Sequence, residues 1–229
     1  MTVAVLSYHP CFVADQNRIC AGRAPDDADE AAMAAADAVI LPQGCSRALY
    51  RVARQRCPRV FPNYDARFAY PGKTGQIRLF RKTGTLHPET RIYPDVDRLL
   101  ASLEKETPMK LPFVFKFDWG GEGDGVYPVA DLDALRRRLA ICRTAPPPPC
   151  LIQQYVDHGR KTLRVVVVGS AVRSYWKVLT DRDRFCASTS RGAAIDPTSA
   201  PTRRTAGIQA VKRLCAKTGI DLAGFDLIF

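Results

Sequence analysis

Short apolar runs alternate with amphipathic stretches along the first seventy residues. Val3 to Ser7 reads as a buried strand, Val39 to Leu41 as a second and Arg59 to Phe61 as a third. Helix signals stand between them. Asp26 to Ala38 is alanine-rich and acidic at its start, where a helix terminus favours carboxylates. Pro42-Gln43-Gly44 is a turn, and Ser46 can cap a helix running through Arg56. This β-α-β-α-β order predicts a small parallel sheet with covering helices. The segment lacks a GxGxxG turn, so it is not read as an NAD or FAD site.

Beyond it, Lys73 to Thr83 predicts a helix with Ile77 and Phe80 on one face and Gly84 at its end. Thr90 to Tyr93 is a strand, and Asp95 caps a helix with a stripe of Leu99, Leu100 and Leu103. Pro112 to Phe117 reads as a buried strand, Asp118 to Gly125 as a glycine-rich loop and Val126 to Val129 as a returning strand. Asp131 to Cys142 is a helix with Leu132, Leu135 and Leu139 inward, and Pro146 to Pro149 a rigid spacer. The pattern then changes. Cys150 to Val156, Leu163 to Val168 and Ala171 to Val178 are strands in quick succession, the last two joined by a Gly169-Ser170 hairpin. Thr180 to Pro201 reads as a long loop, Thr205 to Lys217 as a helix and Leu222 to Phe229 as a last strand. The class is α/β (α+β), with a helix-rich lobe and a lobe of mostly antiparallel sheet.

Composition narrows the picture. At 229 residues the chain can bury a core, and it contains no apolar run near the roughly 20 residues that cross a bilayer. No membrane association is expected, the N-terminus does not read as a signal peptide, and a cytoplasmic location follows. The eight cysteines are scattered without a CxxC pair and only three histidines accompany them, so no zinc site is expected. The net charge of +11 suits anionic ligands. Nucleic acid is disfavoured, because the basic residues are dispersed and no aromatics interleave with them.

Four segments carry candidate chemistry. Lys116 ends an apolar strand, and Gly120, Gly121, Gly123 and Gly125 follow. Such a loop brings backbone N–H groups close to an anion, with the lysine as a point charge; the other reading is a glycine-rich hairpin with a solvated lysine. Leu151 to Val156 is an apolar strand broken by Gln153 and Gln154, able to connect lobes and to bond a flat heterocycle through its backbone. Arg164 and Lys177 lie on partner strands and can converge on one anion; the reading these residues favour by themselves is an ordinary alternating sheet with solvated charges. Asp226 sits among apolar residues, where a metal ion or a cationic partner would offset its burial.

Taken in order, these segments resemble the ATP-grasp superfamily. Lys73 with its helix and Pro88-Glu89-Thr90 is similar to the first lysine segment of that family. Val114-Phe115-Lys116 with its glycine loop resembles the second lysine and the phosphate loop. Gln153-Gln154-Tyr155-Val156 is similar to the adenine connector, Leu163 to Gly169 to the "D.RV.VVG" strand, Arg184 to Ala193 to the "R.N…GG" loop, and Ala223 to Ile228 to the metal strand. The likeness is nearest the glutathione synthetase and ribosomal-protein glutamate ligase (RimK-like) branches. It implies an ATP-grasp fold with a small Rossmann-like lobe at residues 1–66, an N-terminal subdomain at 67–149 and an incomplete C-terminal subdomain at 150–229.

The resemblance also implies roles. Lys73, Lys116, Gly121, Gly123 and Gly125 would hold the phosphates of ATP. Gln153, Gln154, Tyr155 and Val156 would hold adenine, through the backbone of Gln154 and Val156. Arg164 and Lys177 would stabilise the transferred phosphoryl group, and Asp226 would bind Mg2+. The implied partners are ATP, a small carboxylate and an amine or thiol acceptor, and a homo-oligomer is common in these branches. Gly72, Thr162 and Ser188 stand where the family pattern has Asp, Asp and Asn, and the strand with its further Glu and Asn ligands is expected after Phe229. The rival expectation is therefore an ATP-binding regulatory or interaction module without ligase turnover.

Overall fold

The computed structural model describes residues 3–105, 109–121, 123–141, 147–180, 185 and 188–229, with no account of the side chains of Ile141 and Arg191. The chain divides into two compact units. The first is Met1–Phe68 with Val168–Ser170 and Thr218–Ala223; the second is Ala69–Val167 with Ala171–Lys217 and Gly224–Phe229.

The first unit holds a four-stranded sheet of β1 (Val5–Ser7), β2 (Gln16–Asn17), β3 (Ala38–Ile40) and β4 (Val60–Phe61), in the order β2-β1-β3-β4 and wholly parallel. Helices α1 (Asp27–Ala35) and α2 (Arg47–Arg56) form the predicted crossovers. Met33, Val39, Leu41, Leu49 and Ala53 pack between sheet and helices. Ser46 caps α2 by accepting from the Leu49 N–H, as expected, a contact worth about 1 kcal/mol. Helix α1 stops three residues early because Ala36 turns extended. Two elements were not foreseen. β2 is a two-residue edge strand, both residues exposed, so no apolar alternation marks it; α3 (Asp65–Ala69) is barely more than one turn.

Asp29 of α1 has no exposed surface. It closes a capping box with Asp26, accepts from the Tyr8 hydroxyl at 2.9 Å and pairs with Arg23 and Arg18.

The second unit holds two four-stranded sheets. One runs β5-β8-β6-β7, from β5 (Thr90–Tyr93), β8 (Cys150–Gln154), β6 (Phe113–Phe117) and β7 (Val126–Val129), with every neighbouring pair antiparallel. Side chains alternate across it. Phe113, Phe115, Phe117, Cys150 and Ile152 point to a core shared with α5 (Val96–Lys105) and α6 (Leu132–Ile141), through Val96, Leu99, Leu103, Leu135 and Leu139. Val114, Lys116, Leu151 and Gln153 therefore take the other face.

The second sheet runs β11-β10-β9-β12, from β9 (Lys161–Val168), β10 (Ala171–Val178), β11 (Ala194–Asp196) and β12 (Leu222–Leu227). Leu163, Val165, Val167, Trp176, Phe225 and Leu227 pack against Val211 and Ile208 of α7 (Pro201–Thr218). Helix α7 begins four residues before the predicted start. Pro201 suits a first helical position, but Pro201 to Arg204 carry no apolar residue to reveal it. The predicted long loop contains β11 and a 3-10 turn at Thr189–Arg191, both without an apolar pattern. The predicted end of the Asp131 helix at Cys142, and Pro146, lie outside the described residues.

Candidate functional site

Antiparallel register brings the two central strands of the first sheet of the second unit together at Lys116 and Gln153. Lys116 faces Leu151 and Val114 faces Gln153, so Lys116 and Gln153 are diagonal neighbours on the face away from the core. The Lys116 Nζ donates to Gln153 Oε1 at 2.6 Å. Thr90 lies directly across from Gln153, and the amide Nε2 donates to Thr90 Oγ1 at 2.8 Å. Thr90 in turn donates to the Pro88 carbonyl at 2.8 Å. Gln153 and Thr90 are both buried, and Lys116 is half-buried. Because Thr90 spends its proton on Pro88, it can only accept from Gln153, so the carboxamide presents its oxygen to the lysine.

Lys116 leads into the glycine loop. Gly120, Gly123 and Gly125 have φ of +84°, +91° and +67°, a region in which side chains are strained. Trp119 stacks on Phe117 with ring centroids 5.2 Å apart, while Phe117 N–H donates to the Gly125 carbonyl at 2.9 Å. The loop also holds the other lysine. Lys73, in α4 (Gly72–Thr83), donates to the Trp119 carbonyl and to the Gly120 carbonyl at 3.0 Å. Lys73 thus bonds the start of the loop, while Lys116, on the strand that leads into it, bonds Gln153.

On the second sheet, strand alternation sends Leu163, Val165 and Val167 inward and Arg164 outward. Lys177 of β10 and Gly224 and Asp226 of β12 share that outer face, with β9 between the two strands. Arg164 Nη1 lies 3.0 Å from Asp226 Oδ2, and Lys177 Nζ lies 2.8 Å from Asp226 Oδ1. The Lys177 side chain is 9% exposed and the Asp226 side chain 43%, so the cation is buried and the carboxylate opens to water. Gly224 makes room for this arrangement: a Cβ there would stand 2.2 Å from an Arg164 guanidinium nitrogen.

The connector after β8 is shorter in strand than expected, since β8 ends at Gln154. The Gln154 N–H donates to the Glu89 carbonyl at 2.8 Å, so its own N–H is engaged. The Tyr155 ring lies 5.9 Å from that of Phe185, and Val156 is half-buried. Gly121 accepts from the Asp124 N–H within the loop. Arg184, of the "R.N…GG" likeness, lies outside the described residues. Sequence reasoning missed Asp118, whose carboxylate accepts from the Thr74 N–H at 2.6 Å, and Thr90 as the anchor of the Gln153 amide. Neither shows a local signal, since both act across sheet or loop contacts.

Among the described residues no cluster of three His, Cys, Asp or Glu side chains could hold a metal on its own. Asp226 offers one carboxylate. That donor set fits magnesium carried in on a nucleotide, which takes one or two carboxylates and completes its shell with phosphate and water; it does not fit a preformed metal cage. Among the described residues no helix is long and apolar enough to cross a membrane.

Several solved structures share this architecture. A RimK domain ATP-grasp protein from Sphaerobacter thermophilus matches with a TM-score of 0.63 at 15% identity, over 98% of this chain and 86% of that one. N5-carboxyaminoimidazole synthetase from Staphylococcus aureus, complexed with ADP, matches with a TM-score of 0.66 at 13% identity, over 97% of this chain and 58% of that one. L-amino acid ligase from Bacillus licheniformis matches with a TM-score of 0.61 at 13% identity, over 98% and 58%. The chain thus spans less than two thirds of the last two proteins, and at these identities the likeness establishes the fold. No curated protein matches the sequence. The model of the RimK-like ATP-grasp domain matches residues 72–229, well over half of the chain, and the chain belongs to that family.

Proposed function

We propose that this protein is an ATP-dependent carboxylate–amine ligase that works through an acyl phosphate. The observation that carries the reading is the pair of lysines at one glycine loop: Lys73 of α4 bonds its first carbonyls, and Lys116 stands on the strand that leads into it. In this reading both lysines hold the phosphates of ATP, with loop N–H groups at Gly121, Gly123 and Gly125 beside them. Adenine lies against Gln153 to Val156. The Gln154 carbonyl accepts from the adenine amino group and the Val156 N–H donates to the ring, because the Gln154 N–H is already committed to Glu89.

The substrate carboxylate oxygen attacks the γ-phosphorus, and ADP leaves with the broken bond's electrons. The amine then attacks the acyl carbon, phosphate departs, and the amine proton passes to solvent. Arg164 and Lys177 neutralise the charge on the transferred group, and catalysis is mainly positioning and electrostatics. Asp226 would hold a magnesium ion, which when bound screens the phosphate charge. A thiol acceptor, a homo-oligomer and a cytoplasmic location belong to the same proposal.

A second reading is favoured by one observation: both Asp226 oxygens are already paired to cations. It makes the protein a nucleotide-binding module without turnover. Thermal unfolding with ATP or ADP, each with and without magnesium, tests both, since a ligand held only by the folded state raises its melting temperature. Ligase function predicts a nucleotide shift that magnesium deepens, and ADP release that depends on added carboxylate and amine. A shift indifferent to magnesium and no ADP release would leave the binding module. No shift from folded protein would sink both.

A further inference from the structure

The start of α4 raises a question of physical chemistry. The first N–H groups of a helix have no partner within it, and a side chain at the cap normally supplies one. Here the cap residue is Pro71, which makes no such bond. The acceptor comes instead from 44 positions along the chain: Asp118 Oδ1 takes the Thr74 N–H at 2.6 Å. Asp118 is itself anchored through its N–H to the Pro149 carbonyl at 3.0 Å.

Gly72 fits this contact in two ways. Its φ is +71°, and a Cβ at 72 would stand 2.4 and 2.6 Å from the two Asp118 oxygens and 2.7 Å from their carbon. The Asp118 carboxylate thus fills the space where a side chain at 72 would begin. The next two residues after Asp118 are Trp119 and Gly120, whose carbonyls accept from Lys73. Helix start and loop start are tied at two adjacent points, one through Thr74 and one through Lys73.

We propose that Asp118 is a positioning residue of the nucleotide site: it clamps the first turn of α4 to the glycine loop and so sets where Lys73 stands. This rests on the nucleotide reading of the site. Asp118 touches no reacting atom; it acts through Lys73 and the loop backbone.

The test measures ADP affinity by calorimetry for the wild-type chain, Asp118→Ala and Asp118→Asn, with melting temperatures as a folding control. Asparagine keeps an oxygen for the Thr74 N–H. The expected result is a dissociation constant about 10-fold higher for Asp118→Ala and within about 3-fold of wild type for Asp118→Asn. Amide exchange at Thr74 should accelerate in the alanine variant alone, and Gly72→Ala should lower the melting temperature less in the Asp118→Ala background than in wild type. Wild-type ADP affinity in Asp118→Ala, or equal losses in both variants, overturns the clamp while leaving the nucleotide reading intact. Failure of the wild-type chain itself to bind ADP overturns both.

Discussion

The two units each set an aspartate among cations, and they do so to opposite ends. In the first unit Asp29 has no exposed surface, and its oxygens are taken by Tyr8, Arg23, the Asp26 N–H and Arg18. Nothing is left to bind a ligand. In the second unit the carboxylate of Asp226 is open to water, while the buried partner is the cation Lys177. A closed set of protein partners stabilises a fold; an open one, with two positive charges around a single acid, suits an anion or a metal that arrives later. The difference is in exposure, not in residue type.

The largest effect should come from breaking the closed cluster. Asp29→Ala leaves Tyr8 without its acceptor and removes the reciprocal half of the α1 capping box, the bond from the Asp26 N–H; we expect a loss of about 2–3 kcal/mol in urea unfolding, tempered because Arg18 and Arg23 keep water. ADP affinity should stay within about twofold. Loss of ADP binding in a folded Asp29→Ala protein would erase the contrast between the units. The same carboxylate sets a pH dependence. Burial pushes its titration up, but the hydrogen bond from Arg23, with those from the Asp26 N–H and Tyr8, outweighs burial and holds it well below the usual carboxylate range. The folded state therefore holds fewer protons than the unfolded chain. This stability is present above about pH 4 and is lost as acid takes the chain below it. Asp29→Asn should flatten that acid limb, and an unchanged limb would remove Asp29 as its source.

Changes in the second unit touch function. Lys116→Ala should weaken ADP about 100-fold, or about 2.7 kcal/mol, with about 1 kcal/mol of stability lost for the unpaired Gln153 oxygen. Equal ADP affinity would detach the relay from nucleotide binding. Gly224→Ala drives a methyl group into the Arg164 guanidinium. Steady-state kinetics of ADP release should show kcat reduced about 10-fold with the KM for ATP nearly constant, because Arg164 acts on the transferred group and not on adenine. A rise in KM alone would move Arg164 to ground-state binding. The smallest change is Thr90→Val, which removes the acceptor that orients Gln153. About fivefold weaker ADP binding is expected, and a titration indistinguishable from wild type would show that Lys116 alone suffices to orient the amide.

Much of the architecture was legible because burial writes periodicity into sequence. The alternation Phe113, Phe115, Phe117 marks a strand and places Lys116 on its far face, and Leu99 with Leu103 marks a helix stripe. Elements without buried faces, β2 and β11, left no such mark. The site divides in the same way. Lys116, Arg164, Lys177 and Asp226 stood out as charges at the ends of or within apolar strands, and Lys73 through the family resemblance. Gly72 read as a departure from the family pattern, and the departure became intelligible only when Asp118 was found in the space beside it.

The sequence by itself determined the order of the strands and helices that bury a face, which face that is, and most of the residues with the right chemistry. Those properties depend on spacing along the chain, which sequence displays directly. Tertiary structure alone decided which groups meet: Gln153 with Lys116 and Thr90, Asp118 with Thr74, and Asp226 with Arg164 and Lys177. Each of those contacts spans dozens of residues. Its partner is chosen by strand register and close approach of backbone, which no local pattern encodes.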